Sequence, residues 1–220
     1  MLSGAAVGYG WASSNKAWMI VAAKGVSFVL MHFPHGVKIR DGGSLTMSKC
    51  TSTGDRNGLY DAGRLTMEDC RIFGSGNQRS GISDRGVLCD GQLEATRCIF
   101  EGCDNTGVYV RGAVGTTVCG LGNFIECVMR NNAQDGLQTY NNATVNLMGG
   151  TFSGNARHGV NADEGGKVHV AAASTTLASS LPCETVDRPQ AVSRDNKRHG
   201  WHAVGEGSEI IGIPQEKINV

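Results

Sequence analysis

The sequence predicts an all-β chain, a right-handed single-stranded parallel β-helix of about six to seven coils with an N-terminal cap and a corner insertion. Three observations predict it. A Gly-apolar pair returns at short intervals. The segments between these pairs alternate apolar and polar residues with period two. Gly supplies 32 of the 220 residues while Pro supplies 4, a composition that suits many tight turns rather than a disordered Pro/Gly-rich chain.

The Gly-apolar pairs are Gly36-Val37, Gly58-Leu59, Gly81-Ile82, Gly107-Val108, Gly136-Leu137, Gly159-Val160 and Gly200-Trp201. The steps between their glycines are 22, 23, 26, 29, 23 and 41 residues. Each unit continues with a Gly-rich bend and a second strand whose apolar residues lie two apart. Leu45 and Met47 match Leu65 and Met67, Leu93 and Ala95, Val145 and Leu147, and Val168 and Val170. A small residue or Cys, a third strand and a polar turn close the unit. Three short strands in about 22 residues have no room to pair among themselves, so each must pair with its counterpart in the next unit. The result is three parallel sheets around one core, and several coils are needed together for stability.

Residues 1–35 are apolar and poorly periodic, and are expected to cover the first rung. Residues 36–170 carry the coils. Residues 171–197 break the period and read as an insertion or loop from one corner, and residues 198–220 read as the last coil and its cap.

Lys+Arg and Asp+Glu both count 20, so net charge draws the chain neither to nucleic acid nor to an anionic membrane. The most apolar stretch, 17–33, is interrupted by Lys24 and Ser27, and no leader or membrane-spanning pattern stands out. Of the eight cysteines, Cys50, Cys70, Cys98 and Cys127 fall at one position of four units, with Gly150 in the fifth. This spacing predicts a packed column of free thiols. Free thiols belong to a reducing compartment, so the expected location is the cytoplasm. Asn57, Asn77 and Asn105, and at a nearby position Asn132 and Asn155, are expected in the polar turns.

If the residue after each repeat glycine faces inward, the next faces outward. The first outward column is then Lys38, Tyr60, Ser83, Tyr109, Gln138, Asn161 and His202. The second is Arg40, Ala62, Arg85, Arg111, Tyr140, Asp163 and Val204. Tyr60, Arg85, Tyr109, Arg111 and Tyr140 are the candidate ligand-binding residues, because aromatic rings and Arg forks suit sugar rings, carboxylates or an extended peptide. Asp61 and Asp84 each lie three residues after a repeat glycine. They are candidates for calcium ligands, or for an acid and base with Arg111 as base or clamp; the competing reading is that both are turn residues. His-Gly occurs at His35-Gly36, His158-Gly159 and His199-Gly200, and is read as the residue preceding the repeat glycine.

The pattern Gly-apolar, Gly-Gly-x-apolar-x-apolar, then x-x-Asn-x-x-x-Gly resembles the generic right-handed β-helix repeat. It is similar to repeats of pectate-lyase-like proteins, of periplasmic copper-processing proteins and of an F-box-linked β-helix family. The resemblance covers about 36–170 and 199–213. It implies the fold, and it implies lyases, hydrolases, epimerases or binding modules as functions. In the pectate-lyase-like families acidic groups and calcium hold an acidic sugar, so calcium is the implied cofactor of a lyase; otherwise no cofactor is expected. Three functions stand open: a non-catalytic module binding a polysaccharide or an extended peptide or protein along one sheet face, a small polysaccharide lyase or glycoside hydrolase, and a structural or assembly protein. The sequence is silent on oligomeric state.

Overall fold

The computed structural model describes residues 7–11, 17–54, 57–74, 85–112, 120–171, 191–213 and 217–219. Strand β1 (Val7–Trp11) pairs antiparallel with β2 (Ala17–Val21). From β2 onward the described strands are parallel. The first coil is β2, β3 (Val26–Val29) and β4 (His32–Phe33). The second is β5 (Val37–Ile39), β6 (Ser44–Ser48) and β7 (Thr51–Gly54); the third is β8 (Asn57–Asp61), β9 (Arg64–Glu68) and β10 (Arg71–Gly74). The fourth is β11 (Arg85–Cys89), β12 (Gln92–Thr96) and β13 (Ile99–Glu101); the fifth is β14 (Val108–Arg111), β15 (Leu121–Ile125) and β16 (Val128–Arg130). The sixth is β17 (Leu137–Tyr140), β18 (Thr144–Met148) and β19 (Thr151–Ser153); the seventh is β20 (His158–Asp163), β21 (Lys167–Val170) and β22 (Val192–Arg194). Strands β23 (His199–Val204), β24 (Glu209–Ile211) and β25 (Ile218–Asn219) finish the stack.

The described strands form three sheets of ten, eight and seven strands. The first contains β1 and every coil-opening strand, the second runs from β3 to β24, and the third from β4 to β22. The solenoid therefore begins earlier than the Gly-apolar repeat. Strands β2–β4 lie in the segment expected to be a cap, and they form a complete rung on which β5–β7 stack. Their glycine spacing is irregular, so sequence period alone does not mark them.

The core is a set of columns. Val26, Leu45, Leu65 and Leu93 follow one another up the second sheet, and beside them run Phe28, Met47, Met67, Ala95 and Phe124. Small Ala95 under large Phe124 lets the Phe100 ring meet Phe124 edge-on, with centroids 6.3 Å apart. Fully burying a Phe or Leu side chain contributes roughly 1.5–3 kcal/mol, and the buried apolar residues run through all the coils.

In the second to sixth coils the passage from the second to the third sheet turns on one left-handed residue. Lys49, Asp69, Arg97 and Glu126 have φ near +50°, and Gly149 follows at +70°. The sharp turn leaves the next residue pointing inward, and that residue is Cys50, Cys70, Cys98, Cys127 or Gly150 in successive coils. All four of these thiols are buried and free. They donate to carbonyls of their own coil and, in three cases, of the coil before it: Cys70 Sγ lies 3.3 Å from Glu68 O and 3.4 Å from Met47 O. At Gly150 a Cβ would stand 2.6 Å from Cys127 O, with φ at +109°, so no cysteine fits there.

A second ladder differs from the expected one. Asn132 Nδ2 donates to Asn155 Oδ1 at 2.9 Å, and Asn155 Nδ2 donates to Asn196 Oδ1 at 3.0 Å. Cys103, not Asn105, occupies the next place down, and its N–H donates to Asn132 Oδ1. Asn105 instead accepts from the N–H and hydroxyl of Thr106 in its own turn. Asn57 is a strand residue opposite Arg85, and Asn77 lies outside the described residues.

Candidate functional site

The outer face of the ten-stranded sheet is set by register. Lys38, Tyr60, Leu88, Tyr109, Gln138, Asn161 and His202 stand one above another. The repeat glycine of the fourth coil is therefore Gly86, followed by Val87, and not Gly81 followed by Ile82. Val87 pairs with Leu59 below and Val108 above. This shifts two of the expected positions. Leu88 takes the place assigned to Ser83, and Arg85 moves out of the second column to the position before the glycine, opposite Asn57. In that second column Asp90 faces Arg111.

Asp61 is corrected more sharply. It pairs with Cys89, not with Asp84, in a column that points into the core between Ile39 and Val110. It is fully buried. The Gly63 N–H donates to Oδ1 at 2.9 Å, and the Cys89 thiol lies 3.6 Å from Oδ2. Burial pushes its carboxyl up to about 7, because an apolar surround penalises the charged form. A carboxylate turned inward does not reach a ligand on the face, and Asp84 lies outside the described residues. Among the described residues, no group of three or more His, Cys, Asp or Glu side chains is arranged to hold a metal ion.

The other candidates are brought together. Arg111 grips Asp90 with two bonds, Nε to Oδ1 at 2.6 Å and an Nη to Oδ2 at 2.9 Å. The Tyr60 hydroxyl donates to the same Oδ2 at 2.9 Å. Burial and this bond push the Tyr60 phenol up to about 12, while the Asp90 carboxylate raises Arg111. The Lys38 ammonium sits 5.0 Å from the Tyr60 ring centre. One coil on, the Arg85 guanidinium lies 4.3 Å from the Tyr109 ring centre, and Tyr109 meets Tyr140 at 6.1 Å.

Tyr109 is only 8% exposed. It is the floor of this cluster rather than an open platform, and Tyr60, Arg85, Arg111 and Tyr140 are the partly exposed groups above it. Two interlocked sets result, Tyr60–Asp90–Arg111 and Arg85–Tyr109–Tyr140. Aromatic–cation contacts of this kind contribute about 0.5–2 kcal/mol each and hold long side chains in one geometry.

Towards the last coils the same face becomes a polar network that the candidate list lacked. Asp135 is fully buried and lies 2.8 Å from His158 Nδ1. Asn161 Oδ1 lies 2.9 Å from His202 Nδ1, and the His158 and His202 rings stack at 4.3 Å. The sequence does hold a signal for it: His-Gly recurs in adjacent coils, with His202 in the outward column above Asn161. Asp90 was hidden by the misplaced glycine.

The right-handed β-helix region family model matches residues 26–177. No curated protein sequence matches at a significant level. Among solved structures, the A-module of mannuronan C-5 epimerase AlgE4 from Azotobacter vinelandii is similar, with a TM-score of 0.48 and 14% identity. The match covers 66% of this chain and 40% of that one. With a family match over more than half its length, and three parallel sheets stacked coil on coil, the chain belongs to the right-handed β-helix family.

Proposed function

We propose that the protein is a non-catalytic binding module that recognises an extended polysaccharide along the outer face of its ten-stranded sheet. The observation that carries this reading is the pair of interlocked sets, in which Arg111 and Tyr60 are fixed by Asp90 and Arg85 and Tyr140 are fixed by Tyr109. Side chains held before the ligand arrives lose little entropy on binding.

Two further points support it. Rungs recur about every 4.8 Å, a repeat close to the length of one linked pyranose and out of step with the ~3.3 Å per residue of an extended peptide. The two carboxylates beside the Tyr60–Arg111 pair are both engaged: Asp61 faces the core, and Asp90 is held by Arg111 and Tyr60.

The test is calorimetric titration with a panel of neutral and acidic oligosaccharides. Arg111→Ala and Tyr140→Ala should each weaken binding by about tenfold or more, roughly 1.4 kcal/mol, with the fold retained. Unchanged affinity in both variants would move the site elsewhere. Binding of extended peptides with no response to any glycan would overturn the ligand class.

A further inference from the structure

Three imidazoles converge at the end of the solenoid. His158 opens β20, and His199 and His202 both belong to β23, the next rung. The His158 and His202 rings are parallel within 2° at 4.3 Å, and the His199 ring lies 5.5 Å from each, within 10° of parallel. Stacked neutral rings pack well, but stacked imidazolium rings repel.

The surroundings can neutralise little added charge. Asp135, from the turn before β17, is the carboxylate beside the stack. It accepts from the His158 backbone N–H at 3.0 Å and lies 2.8 Å from the ring Nδ1. Its other oxygen is 3.9 Å from Arg157, a cation from the turn before β20. Among the described residues, the other side-chain hydrogen-bond partners of the rings are neutral amides, Asn161 on His202 and Asn219 of β25 on His199. A proton on His202 therefore sets a charge face to face with His158, with no anion between the rings.

We propose that the His158–His199–His202 stack is an acid sensor, which holds β23 and β24 on the coil below while His202 is uncharged and releases them when that ring takes up a proton against its two stacked neighbours. This inference does not depend on the glycan-binding reading. The position in the fold favours it. Among the described residues the ten-stranded sheet has only β25 beyond β23, paired at two residues, and end rungs open locally at lower free-energy cost than central ones. Burial and the neighbouring His158 lower the proton affinity of His202. The rung is thus intact near neutral pH and is lost as pH falls below the ordinary imidazole range.

The strand carries its own reporter. Trp201 lies between the two histidines of β23, is buried, and packs on Phe152 at 5.9 Å. In the full chain with Trp11→Phe and Trp18→Phe, Trp201 emission should shift to the red between about pH 7.5 and about pH 5. Over the same interval, amide protection in β23 should fall by about tenfold or more relative to β9 and β12. His202→Gln should keep β23 protected at the lower pH. Unchanged Trp201 emission together with unchanged β23 protection in the chain that keeps all three histidines would overturn the sensor, and that measurement needs no histidine variant to fold. An identical acid response in His202→Gln would overturn it as well.

Discussion

Cys89 lies directly on Asp61 in the core, with its sulfur 3.6 Å from the carboxylate oxygen Oδ2. The pair sits one residue beneath the outer face, so the Tyr60–Asp90–Arg111 set rests on a carboxyl that is costly to ionise.

The first prediction concerns that carboxyl. Its value is about 7 in the folded chain against an ordinary 3.8. Between those values the folded state holds a proton that the unfolded chain has released, so stability falls as pH rises from about 4 to about 7. The span corresponds to about 4 kcal/mol. Asp61→Asn keeps the acceptor for Gly63 and removes the titration. Urea unfolding across this pH range should show wild-type stability falling with rising pH relative to the variant. Parallel slopes would show that Asp61 is not the group responsible.

A second prediction follows from the asparagine ladder. Asn155 is fully buried; its Oδ1 accepts from the N–H and Nδ2 of Asn132, and its Nδ2 reaches Met129 O and Asn196 Oδ1. Asn155→Ala strands several buried polar groups at once and should cost about 2–4 kcal/mol in chemical denaturation. Asn155→Asp keeps the acceptor but loses the donor, and should remain well short of wild-type stability.

Thiol accessibility supplies a third. Cys50, Cys70, Cys89, Cys98, Cys103 and Cys127 are buried and free. Burial raises Cys89 well above the usual thiol value and Cys103 to about 12, which leaves little reactive thiolate there; the hydrogen bond from Cys98 lowers Cys127, and there burial alone keeps reagent away. Maleimide labelling followed by peptide mapping should leave these six unmodified in the native chain and modify them in denaturant. Fast native labelling of Cys70 or Cys98 would contradict the packed column.

Two glycines should fail for different reasons. A Cβ on Gly86 would lie 2.4 Å from Gly107 O and 2.9 Å from Cys103 Sγ, so Gly86→Ala forces adjacent coils apart and should cost about 2 kcal/mol or more. Gly102 has open space around it but a φ of +61°. Gly102→Ala should cost only about 1–2 kcal/mol, the usual penalty for a left-handed residue with a Cβ. Thermal melts of both variants would separate steric from conformational strain.

What was legible before the structure, and what was not, divides along the range of the interactions. The stacked coils follow from local pattern, since a period-two strand of about five residues can bury its apolar side only against copies of itself. The cysteine position followed from the same spacing, because the left-handed turn and the inward residue after it are set within each unit. Tyr60, Tyr109, Arg111 and Tyr140 were recognisable as outward residues for that reason.

The fourth coil was not legible. Gly81-Ile82 and Gly86-Val87 both carry the local signal, and the choice is made by backbone pairing of β11 with β8 and β14, partners more than twenty residues away on either side. That choice moved Arg85, brought Asp90 to Arg111, and placed Cys89 rather than Asp84 on Asp61. By itself the amino-acid order determined that this chain coils, and how far each coil rises, because hydrophobic periodicity and turn chemistry act over a few residues. Only the tertiary structure decided which side chains become neighbours across coils, from the paired Arg111 and Asp90 to the three stacked histidines, because one shifted hydrogen-bond ladder reassigns every contact above and below it.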